Sequence, residues 1–307
     1  MSALSTIAVF GPTGVGKTAV AIALAERLRA DGEDPVAVSA DALQVYQGLE
    51  TLTGVASRAE QARLEHRLVS FVPVDARFSA GEFARLAHAE IDALLEEGRR
   101  PIVVGGTGLY LRAALADLEL RPPVPAAVRE RRVAELAASG PEALHAELAR
   151  RAPAAAAGIR PTDAQRVVRA LELLDAGHEP PPGAGEPSQL WTGETRHPTL
   201  LAGLTMDRAA LYARIEARID AMLAAGAVAE VRAAGAAGAA PGPRQALGFE
   251  DLLRGDVEAM RTRTRRYAKR QLTWMRKLPD AAVVDVTDRD PDDVAAELHA
   301  ALRAREA

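Results

Sequence analysis

Cysteine is absent from the sequence, and this absence excludes several kinds of chemistry. The chain can have no disulfide, no thiolate zinc site, no iron–sulfur cluster and no cysteine nucleophile. Lysine is almost as rare, with residues only at positions 17, 269 and 277, so arginine carries nearly all of the other positive charge. Genomic base composition is the simplest explanation for the abundance of arginine and alanine, so the arginine count alone does not indicate a function.

Long apolar runs and a strong net charge are also absent. No segment approaches the ~18 consecutive apolar residues that cross a bilayer, and the N-terminus lacks the basic and apolar regions of a signal peptide. We therefore expect a cytoplasmic protein that is not associated with a membrane. The formal net charge is −4, so no global basic field indicates nucleic acid, and any such binding site must be a local patch.

The first part of the chain alternates between short apolar runs and helical patterns. Strands are predicted at residues 7–10, 36–38 and 101–104, and helices at 18–29 and 83–97. Short apolar strands that alternate with helices are typical of βαβ units. The sequence therefore predicts an α/β fold, with a parallel sheet flanked by helices on both faces.

The second part has a different pattern. Residues 115–199 are helical in pattern and rich in alanine and arginine, with a Pro/Gly loop at 179–187. Since 307 residues are enough for two domains, we interpret this segment as a helical insertion domain in a core of residues 1–114 and 200–307. The rest of the core is predicted to contain helices at 207–234, 256–278 and 291–303, a strand at 281–285 and a flexible loop at 235–248.

The segment between the first predicted strand and helix matches the phosphate-binding pattern G-x-x-x-x-G-K-[ST]. It consists of Gly11, Pro12, Thr13, Gly14, Val15, Gly16, Lys17 and Thr18. Glycines let the backbone curl so that N–H groups point at phosphate oxygens, and the helix N-terminus adds partial positive charge. Lys17 can reach the outer phosphates, and the Thr18 hydroxyl can hold Mg²⁺. The pattern predicts binding of a di- or triphosphate without specifying a nucleotide.

Two further polar residues follow predicted strands and should lie at the same crevice, beyond the carboxyl ends of the strands. Asp41 follows the second strand, and Thr107 lies in the glycine-rich segment after the third. Asp41 could hold Mg²⁺ through water, accept a proton or cap a short helix at 42–46, and the spacing leaves these alternatives open. Thr107 could present a hydroxyl to a ligand or belong to an ordinary turn. No acidic residue ends the third strand, which disfavours a simple ATPase.

The predicted helix at residues 256–278 carries many cations. One stripe with spacings of three and four should pack inward: Met260, Thr264, Tyr267, Gln271, Trp274 and Leu278. The other faces carry Arg261, Arg263, Arg265, Arg266, Lys269, Arg270, Arg276 and Lys277, with no acid in this interval. A solvated helix face usually includes acids for i,i+4 pairing. The pattern therefore favours a nucleic-acid backbone as partner over a merely solvated face.

Segments spread in order over roughly residues 5–280 resemble the tRNA dimethylallyltransferases. They are GPTGVGKT at 11–18, SADALQVYQG at 39–48, FSAGEFARLA at 78–87, PIVVGGTGLYLRAAL at 101–115, DAQRVVRALEL at 163–173, RIEARIDAML at 214–223, ALGFED at 246–251 and RRYAKRQLTWMRK at 265–277. The first is shared by many families, whereas YAKRQLTW and GGTGLYLRA are much more particular. The resemblance implies a P-loop NTPase-like sheet.

The resemblance also implies a reaction: transfer of the dimethylallyl group from dimethylallyl diphosphate to N6 of adenosine 37 of tRNA, next to the anticodon. The phosphate-binding segment would then hold the leaving diphosphate with Mg²⁺ instead of ATP. By the same resemblance, Lys17 and Arg218 act on the diphosphate, with Arg214 close by. Asp41 accepts the N6 proton, and Thr107 positions the amine.

Family positions that contact the tRNA anticodon stem-loop are carried over in the same way. They correspond here to Asp41, Ala42, Leu43, Gln44, Thr107, Arg129, Gln165, Arg166, Val167, Val168, Arg169, Gly248, Arg265, Lys269 and Arg270. The sequence departs from the family pattern at Ala42, Val55, Ser70 and Phe249, where the family has serine, lysine, aspartate and tyrosine. We expect the protein to be a monomer.

Three alternatives remain open at this point. A small-molecule kinase would bind ATP in the cradle but gives no role to the basic helix. A free-adenylate isopentenyltransferase shares the donor chemistry but typically lacks the RNA-facing segments. A diverged paralogue could bind RNA with a phosphate-binding loop that no longer functions.

Overall fold

The computed structural model describes residues 4–180 and 189–307. The chain forms two compact units, one of Met1–Glu119 with Leu190–Ala307 and one of Leu120–Gln189. The inserted unit is therefore shorter at both ends than the predicted 115–199, because residues 115–119 and 190–199 belong to the first unit. Most of the predicted Pro/Gly loop, residues 181–187, lies outside the described residues.

A six-stranded parallel sheet forms the centre of the first unit. Its strand order is β3-β2-β4-β1-β5-β6. The strands are β1 (Thr6–Phe10), β2 (Pro35–Ser39), β3 (His66–Arg67), β4 (Arg100–Gly105), β5 (Thr199–Thr205) and β6 (Ala282–Asp285). The predicted α/β class and parallel sheet are confirmed, and β3 and β5 are additions that the sequence pattern did not predict.

Helices cover the sheet and connect its strands. In the first unit they are α1 (Lys17–Ala30), α2 (Glu50–Thr53), α3 (Arg58–Arg63), α4 (Ala80–Glu96), α5 (Gly108–Leu115), α9 (Arg208–Ala224), α10 (Ala227–Ala236), α11 (Phe249–Leu253), α12 (Val257–Met275) and α13 (Pro291–Glu306). The second unit contains α6 (Ala126–Arg151), α7 (Pro153–Ala157) and α8 (Ala164–Asp175). In the described part of the chain, none of these helices combines the length and apolarity that crossing a bilayer requires.

The core of the first unit explains why its strands are short apolar runs. Every residue of β1 and β2 is buried, as expected where helices cover both faces of a parallel sheet. Helix α1 buries Leu24 and Leu28 and packs against α13. The carboxyl ends of β1, β2 and β4 lie side by side, because Phe10 is paired with Gly105 and Ser39 with Val104. The loops after these three strands therefore meet at one edge of the sheet.

Two predictions for the C-terminal half were wrong. The predicted helix at 207–234 is divided into α9 and α10 at Gly226, which has a φ of 95°. A left-handed glycine ends the first helix and lets the chain change direction. The predicted flexible loop at 235–248 contains the end of α10 and a 3₁₀ turn at Pro243–Gln245 before α11 begins.

The second unit has its own small core and a buried charge cluster. Leu144 and Leu148 of α6 pack with Val167 and Leu171 of α8. Helix α6 is broken at Gly140, whose φ is 77°. A set of ion pairs joins α6 to the end of α8: Arg132 pairs with Glu135, Glu147 and Asp175, and Asp175 also pairs with Arg131 and Arg151.

Candidate active site

The phosphate-binding loop joins β1 to α1 in the conformation that its glycines permit. Gly14 and Gly16 have φ values of 82° and 101°, which side-chain-bearing residues rarely adopt. Among the described residues, no side chain caps the N-terminus of α1. Its first backbone N–H groups therefore remain available to an anion, and the helix dipole favours negative charge there.

Lys17 is the first residue of α1, and its ammonium is enclosed by the loop. Its Nζ donates to the carbonyl oxygens of Gly11 and Pro12, at 3.0 Å each. Burial, assisted by the nearby positive charge of Arg218, lowers the pKa of Lys17 to about 8, although Asp41 acts in the opposite direction. An enclosed cation of this kind is stabilised by an anionic ligand.

Helix α9 carries Arg214 and Arg218 four residues apart, and therefore on one face of the helix. A Cβ atom on Gly16 would lie 3.2 Å from Nη2 of Arg214, so that guanidinium stands over the phosphate-binding loop. Arg218 packs against Gly54, where a Cβ atom would lie 1.8 Å from its Nη2. Burial lowers the pKa of Arg218, and the Asp41 carboxylate partly opposes this shift. Three cations therefore surround the loop.

Asp41 lies just after β2, in a turn and not at the start of a helix. The alternative of a short helix at 42–46 is therefore wrong, although the Oδ1 atom of Asp41 does accept a hydrogen bond from the Leu43 N–H at 3.0 Å. The loops after β2 and β4 are in close contact, because a Cβ atom on Gly105 would lie 2.2 Å from the Ala40 oxygen. This contact holds Asp41 next to the loop that carries Thr107.

Thr107 precedes the first turn of α5, and its hydroxyl lies 3.4 Å from the hydroxyl of Tyr267. Burial raises the pKa of Tyr267 to about 12, with a further contribution from the Asp41 carboxylate. Tyr267 therefore keeps its proton at neutral pH. Asp41, Thr107 and Tyr267 form a polar group beside the cationic loop, so a carboxylate and two hydroxyls lie next to its positive charges.

Three residues of α12 contact the loop after β4, and the sequence indicated only that they point inward. Besides Tyr267, the side chain of Gln271 hydrogen-bonds to this loop and to the phosphate-binding loop, and the Trp274 ring packs on Gly108. Their helical spacing was the available signal, but no local pattern shows which loop the stripe would meet.

Several residues predicted to contact tRNA are instead buried or engaged within the protein. The side chains of Val167 and Val168 lie in the core of the second unit, so they are not available as RNA contacts. Gly248 is buried, since a Cβ atom there would lie 2.6 Å from Sδ of Met260. Gln44 accepts from Ser39 and donates to the Gly54 carbonyl, and thereby fixes its own turn.

Other predicted contacts are placed where RNA can reach them. Gln165 and Arg166 are exposed at the start of α8. Arg129 and Arg169 are partly exposed and pair with Glu172, at 3.4 and 3.1 Å. Ala42 and Leu43 are half-buried in the turn after β2.

The basic helix α12 has acidic partners that its own sequence does not reveal. Arg261 and Arg265 both pair with Glu216 of α9, and Arg263 lies 3.5 Å from Asp251 of α11. Arg265, predicted to bind tRNA, is therefore already paired. Within the described residues, the exposed side chains of Arg266, Lys269 and Arg270 form no ion pair with a carboxylate. The free positive charge of α12 lies mainly in its second half.

These features define an α/β protein with a phosphate-binding loop whose cations face a carboxylate and two hydroxyls. The profile of the IPP transferase family matches residues 44–278, and the chain belongs to that family. It is 44% identical over 283 residues to a tRNA dimethylallyltransferase of Rhodospirillum centenum, covering 87% of this chain and 86% of the relative. A tRNA dimethylallyltransferase of Thermobifida fusca is 40% identical over 287 residues, with 90% and 88% covered.

Solved structures show the same likeness. The full-length tRNA isopentenylpyrophosphate transferase of Bacillus halodurans superposes with a TM-score of 0.70 at 31% identity, covering 98% of this chain and 96% of that one. The Staphylococcus epidermidis tRNA isopentenylpyrophosphate transferase gives a TM-score of 0.68 at 29% identity, with 98% and 99% covered. A eukaryotic dimethylallyltransferase acting on tRNA shares the fold, with a TM-score of 0.70 at 24% identity, covering 93% of this chain and 74% of that one.

Proposed function

We propose that this protein transfers the dimethylallyl group of dimethylallyl diphosphate to N6 of adenosine 37 of tRNA, giving N6-(dimethylallyl)adenosine. The observation that carries the proposal is the meeting of Lys17, Asp41 and Thr107 at one edge of the sheet. A cationic phosphate site beside a carboxylate and a hydroxyl suits displacement of a diphosphate by an amine. The names of the relatives supply the transferred group and tRNA as its acceptor, and the sequence resemblance implies N6 of adenosine 37 as the atom that is modified.

The cations would act on the donor. As the bond between the allylic carbon and the diphosphate oxygen breaks, its electron pair passes to that oxygen and negative charge grows on the leaving group. Lys17, Arg214, Arg218 and the α1 N-terminus are placed to stabilise this charge, and they are positioned before the reaction begins.

Mg²⁺ fits this site as a partner of the diphosphate and not as an ion held by protein alone. In the described residues there is no cluster of three or more His, Asp or Glu side chains that could hold a metal. Mg²⁺ is commonly bound by one or two protein oxygens together with substrate phosphates, and the Thr18 hydroxyl in the first turn of α1 is such an oxygen. The ion would neutralise part of the leaving group's charge.

Asp41 and Thr107 would act on the acceptor. The N6 amine of adenine attacks the allylic carbon, and its surplus proton passes to the Asp41 carboxylate as the C–N bond forms. The Thr107 hydroxyl hydrogen-bonds and orients the amine. Since the base is stacked within the anticodon loop, it must leave the stack to reach this site.

The residues proposed to contact the tRNA anticodon stem-loop are Arg266, Lys269 and Arg270 of α12 in the first unit and, separately, Gln165 and Arg166 of α8 in the second unit. The three cations of α12 are exposed and, within the described residues, free of carboxylate partners, which suits them to phosphate contacts, whereas Arg166 lies 3.6 Å from Asp163 at an exposed position of its own helix. We propose that the protein acts as a monomer in the cytoplasm.

The test is incubation of the purified protein with unmodified tRNA, labelled dimethylallyl diphosphate and Mg²⁺, followed by nucleoside analysis. We expect label in N6-(dimethylallyl)adenosine. An Asp41→Asn variant retains an oxygen for the Leu43 N–H, and we expect its kcat to fall by about 10²- to 10⁴-fold with tRNA affinity within a few fold of the parent.

The other outcomes separate the alternatives. Tight tRNA binding without label transfer would indicate an RNA-binding protein. Label on free adenylate in preference to tRNA would indicate a free-adenylate transferase. Tight binding of Mg·ATP with no affinity for dimethylallyl diphosphate would indicate a kinase.

A further inference from the structure

Three inward-facing residues of helix α12, spaced by about one turn, contact the segment that carries Thr107. The Tyr267 hydroxyl lies 3.4 Å from that of Thr107. One turn further along α12, the Gln271 amide reaches Gly106, and the next inward residue, Trp274, packs on Gly108. The position of this loop is therefore set by α12 as well as by strand β4.

Gln271 differs from its two neighbours because it also reaches the phosphate-binding loop. Its Oε1 accepts from the Thr13 N–H at 2.9 Å, and its Nε2 donates to the Gly106 carbonyl at 2.7 Å. The side chain is 4% exposed. One buried amide thus joins two loops that come from different strands of the sheet, and it satisfies a polar group in each.

The chemistry of both partners suits an amide side chain. The Thr13 N–H needs an acceptor and the Gly106 carbonyl needs a donor, and the Gln271 amide supplies both without carrying a charge. Glycine at position 106 is part of the same arrangement, because a Cβ atom there would lie 2.3 Å from Nε2 of Gln271 and 3.4 Å from Nζ of Lys17. A side chain at 106 would displace the amide.

The two loops carry the two halves of the proposed reaction. Thr13 belongs to the loop that holds the diphosphate, and Gly106 precedes Thr107, which orients the amine. Transfer requires the nucleophile and the allylic carbon to approach within about 3–3.5 Å, and a misplacement of about 1 Å can cost about 10²-fold in rate. The separation of these loops is therefore directly linked to the rate.

We propose that Gln271 is a positioning residue for prenyl transfer. Its amide holds the phosphate-binding loop and the Thr107 loop at the separation that the reaction needs, and it touches neither substrate. This role rests on the proposed function. It assigns one residue of the inner face of α12 to the chemistry, while the outer face carries the exposed cations.

The first test compares Gln271→Met with Thr264→Val. Met preserves volume but removes both hydrogen bonds. Thr264 is a matched control, because it is also buried on α12 but its hydroxyl bonds to the Met260 carbonyl of its own helix. We expect Gln271→Met to lower kcat by about 10- to 100-fold while KM for donor and for tRNA change by less than about threefold. We expect Thr264→Val to retain the parent kcat. A loss that appears only as raised KM, or an unchanged kcat, would overturn the role.

A double-mutant cycle separates positioning from a general loss of structure. Thr107→Val removes the hydroxyl that the amide is proposed to position. If Gln271 acts through Thr107, the double variant should be little worse than the poorer single variant, because the second change removes an interaction that is already misplaced. Multiplicative losses in kcat would show that Gln271 acts independently of Thr107 and would refute the proposal. Thermal unfolding of each variant identifies any that fails to fold. If Gln271→Met fails to fold, Gln271→Asn replaces it in the double-mutant cycle with Thr107→Val.

The activity of the parent protein distinguishes a failure of the proposed function from a failure of the role of Gln271. A parent that transfers no prenyl group to tRNA would refute the proposed function, and the role of Gln271 with it. A parent that transfers normally while Gln271→Met retains its kcat would refute the role of Gln271 alone.

Discussion

The cations around the phosphate-binding loop in the first unit and the charge cluster around Arg132 in the second are built in opposite ways. Arg132 in the second unit is only 5% exposed and is surrounded by Glu135, Glu147 and Asp175. The hydrogen bonds that Arg132 donates to Asp175 raise the pKa of Arg132 above its ordinary value. In the first unit, burial lowers the pKa values of Lys17 and Arg218, and the Asp41 carboxylate compensates only in part.

The direction of the shift distinguishes the two kinds of site. Where the attraction of carboxylates exceeds the desolvation of a cation, the cation stabilises the fold. Its removal leaves buried acids without their partner. Where the desolvation of a cation exceeds the attraction of its carboxylates, its charged form is destabilised, and the binding of an anion stabilises it most. The comparison predicts that activity and stability respond oppositely at the two clusters.

Loss of Lys17 should produce the largest effect on activity. We expect Lys17→Met to reduce kcat/KM for the donor by about 10³-fold or more, because the charge on the leaving diphosphate loses a preorganised partner. The midpoint of thermal unfolding should stay the same or rise, since an enclosed charge is removed. A variant whose midpoint of thermal unfolding falls by several degrees while its activity is retained would contradict the difference proposed between the two clusters.

Loss of Arg132 should affect stability. We expect Arg132→Met to lower the free energy of unfolding of the second unit by about 3 kcal/mol, measured by hydrogen exchange of the α8 amides in the whole protein. Because hydrogen bonding to Arg132 makes the pKa of Asp175 lower in the folded than in the unfolded chain, the contribution is present above about pH 4 and is lost as the pH falls further. Arg150→Met, at an exposed position of α6, is the control and should unfold as the parent does.

The pKa of Lys17 predicts a pH dependence in donor binding. The diphosphate binds the ammonium, and this group loses its proton as the pH rises through about 8. The Kd for dimethylallyl diphosphate should therefore rise above pH 8 by up to about tenfold per pH unit. Lys17→Arg keeps its charge at these pH values, so its Kd should be flat over the same range. A flat profile for the parent as well would mean that Lys17 stays protonated.

The smallest expected effect concerns the two halves of α12. We expect Arg266→Ala with Lys269→Ala to reduce the slope of log tRNA affinity against log salt by about 1 to 2. Arg261→Ala with Arg265→Ala removes the same charge, but both side chains already pair with Glu216, so the slope should change little. Equal changes in slope would mean that RNA displaces these ion pairs.

Local signals account for what the sequence predicted well. The phosphate-binding loop, the strand before it and the helix after it form one continuous pattern, so their positions were found to within a residue or two. The shared face of Arg214 and Arg218 follows from a spacing of four residues. The joint presence of Asp41 and Thr107 at the same edge follows from the parallel order of the strands. Their roles, like that of Thr18, stay predictions.

What was missed depends on distant parts of the chain. The acid Glu216, which pairs with Arg261 and Arg265, lies on α9, more than 40 residues away, so a search within the helix could not find it. Strand β5 was not predicted, because its pairing with β1 identifies it and no local sequence pattern does. Val167 and Val168 were carried over with a whole motif, although the helical period places them on the inner face beside exposed Gln165 and Arg166. The helix predicted at 207–234 included Gly226, whereas in the structure this glycine separates α9 from α10.

The order of the strands also affects how the protein is made. Strand β1 needs two neighbours, β4 and β5, and these are separated in the chain by the entire helical unit. A ribosome therefore delivers the helical unit before the second neighbour exists, and until residue 205 has emerged one edge of β1 has no partner. An open strand edge invites pairing with other chains. A polypeptide truncated within the helical unit would carry this edge permanently, which makes the interval between β4 and β5 the stage of synthesis most exposed to aggregation.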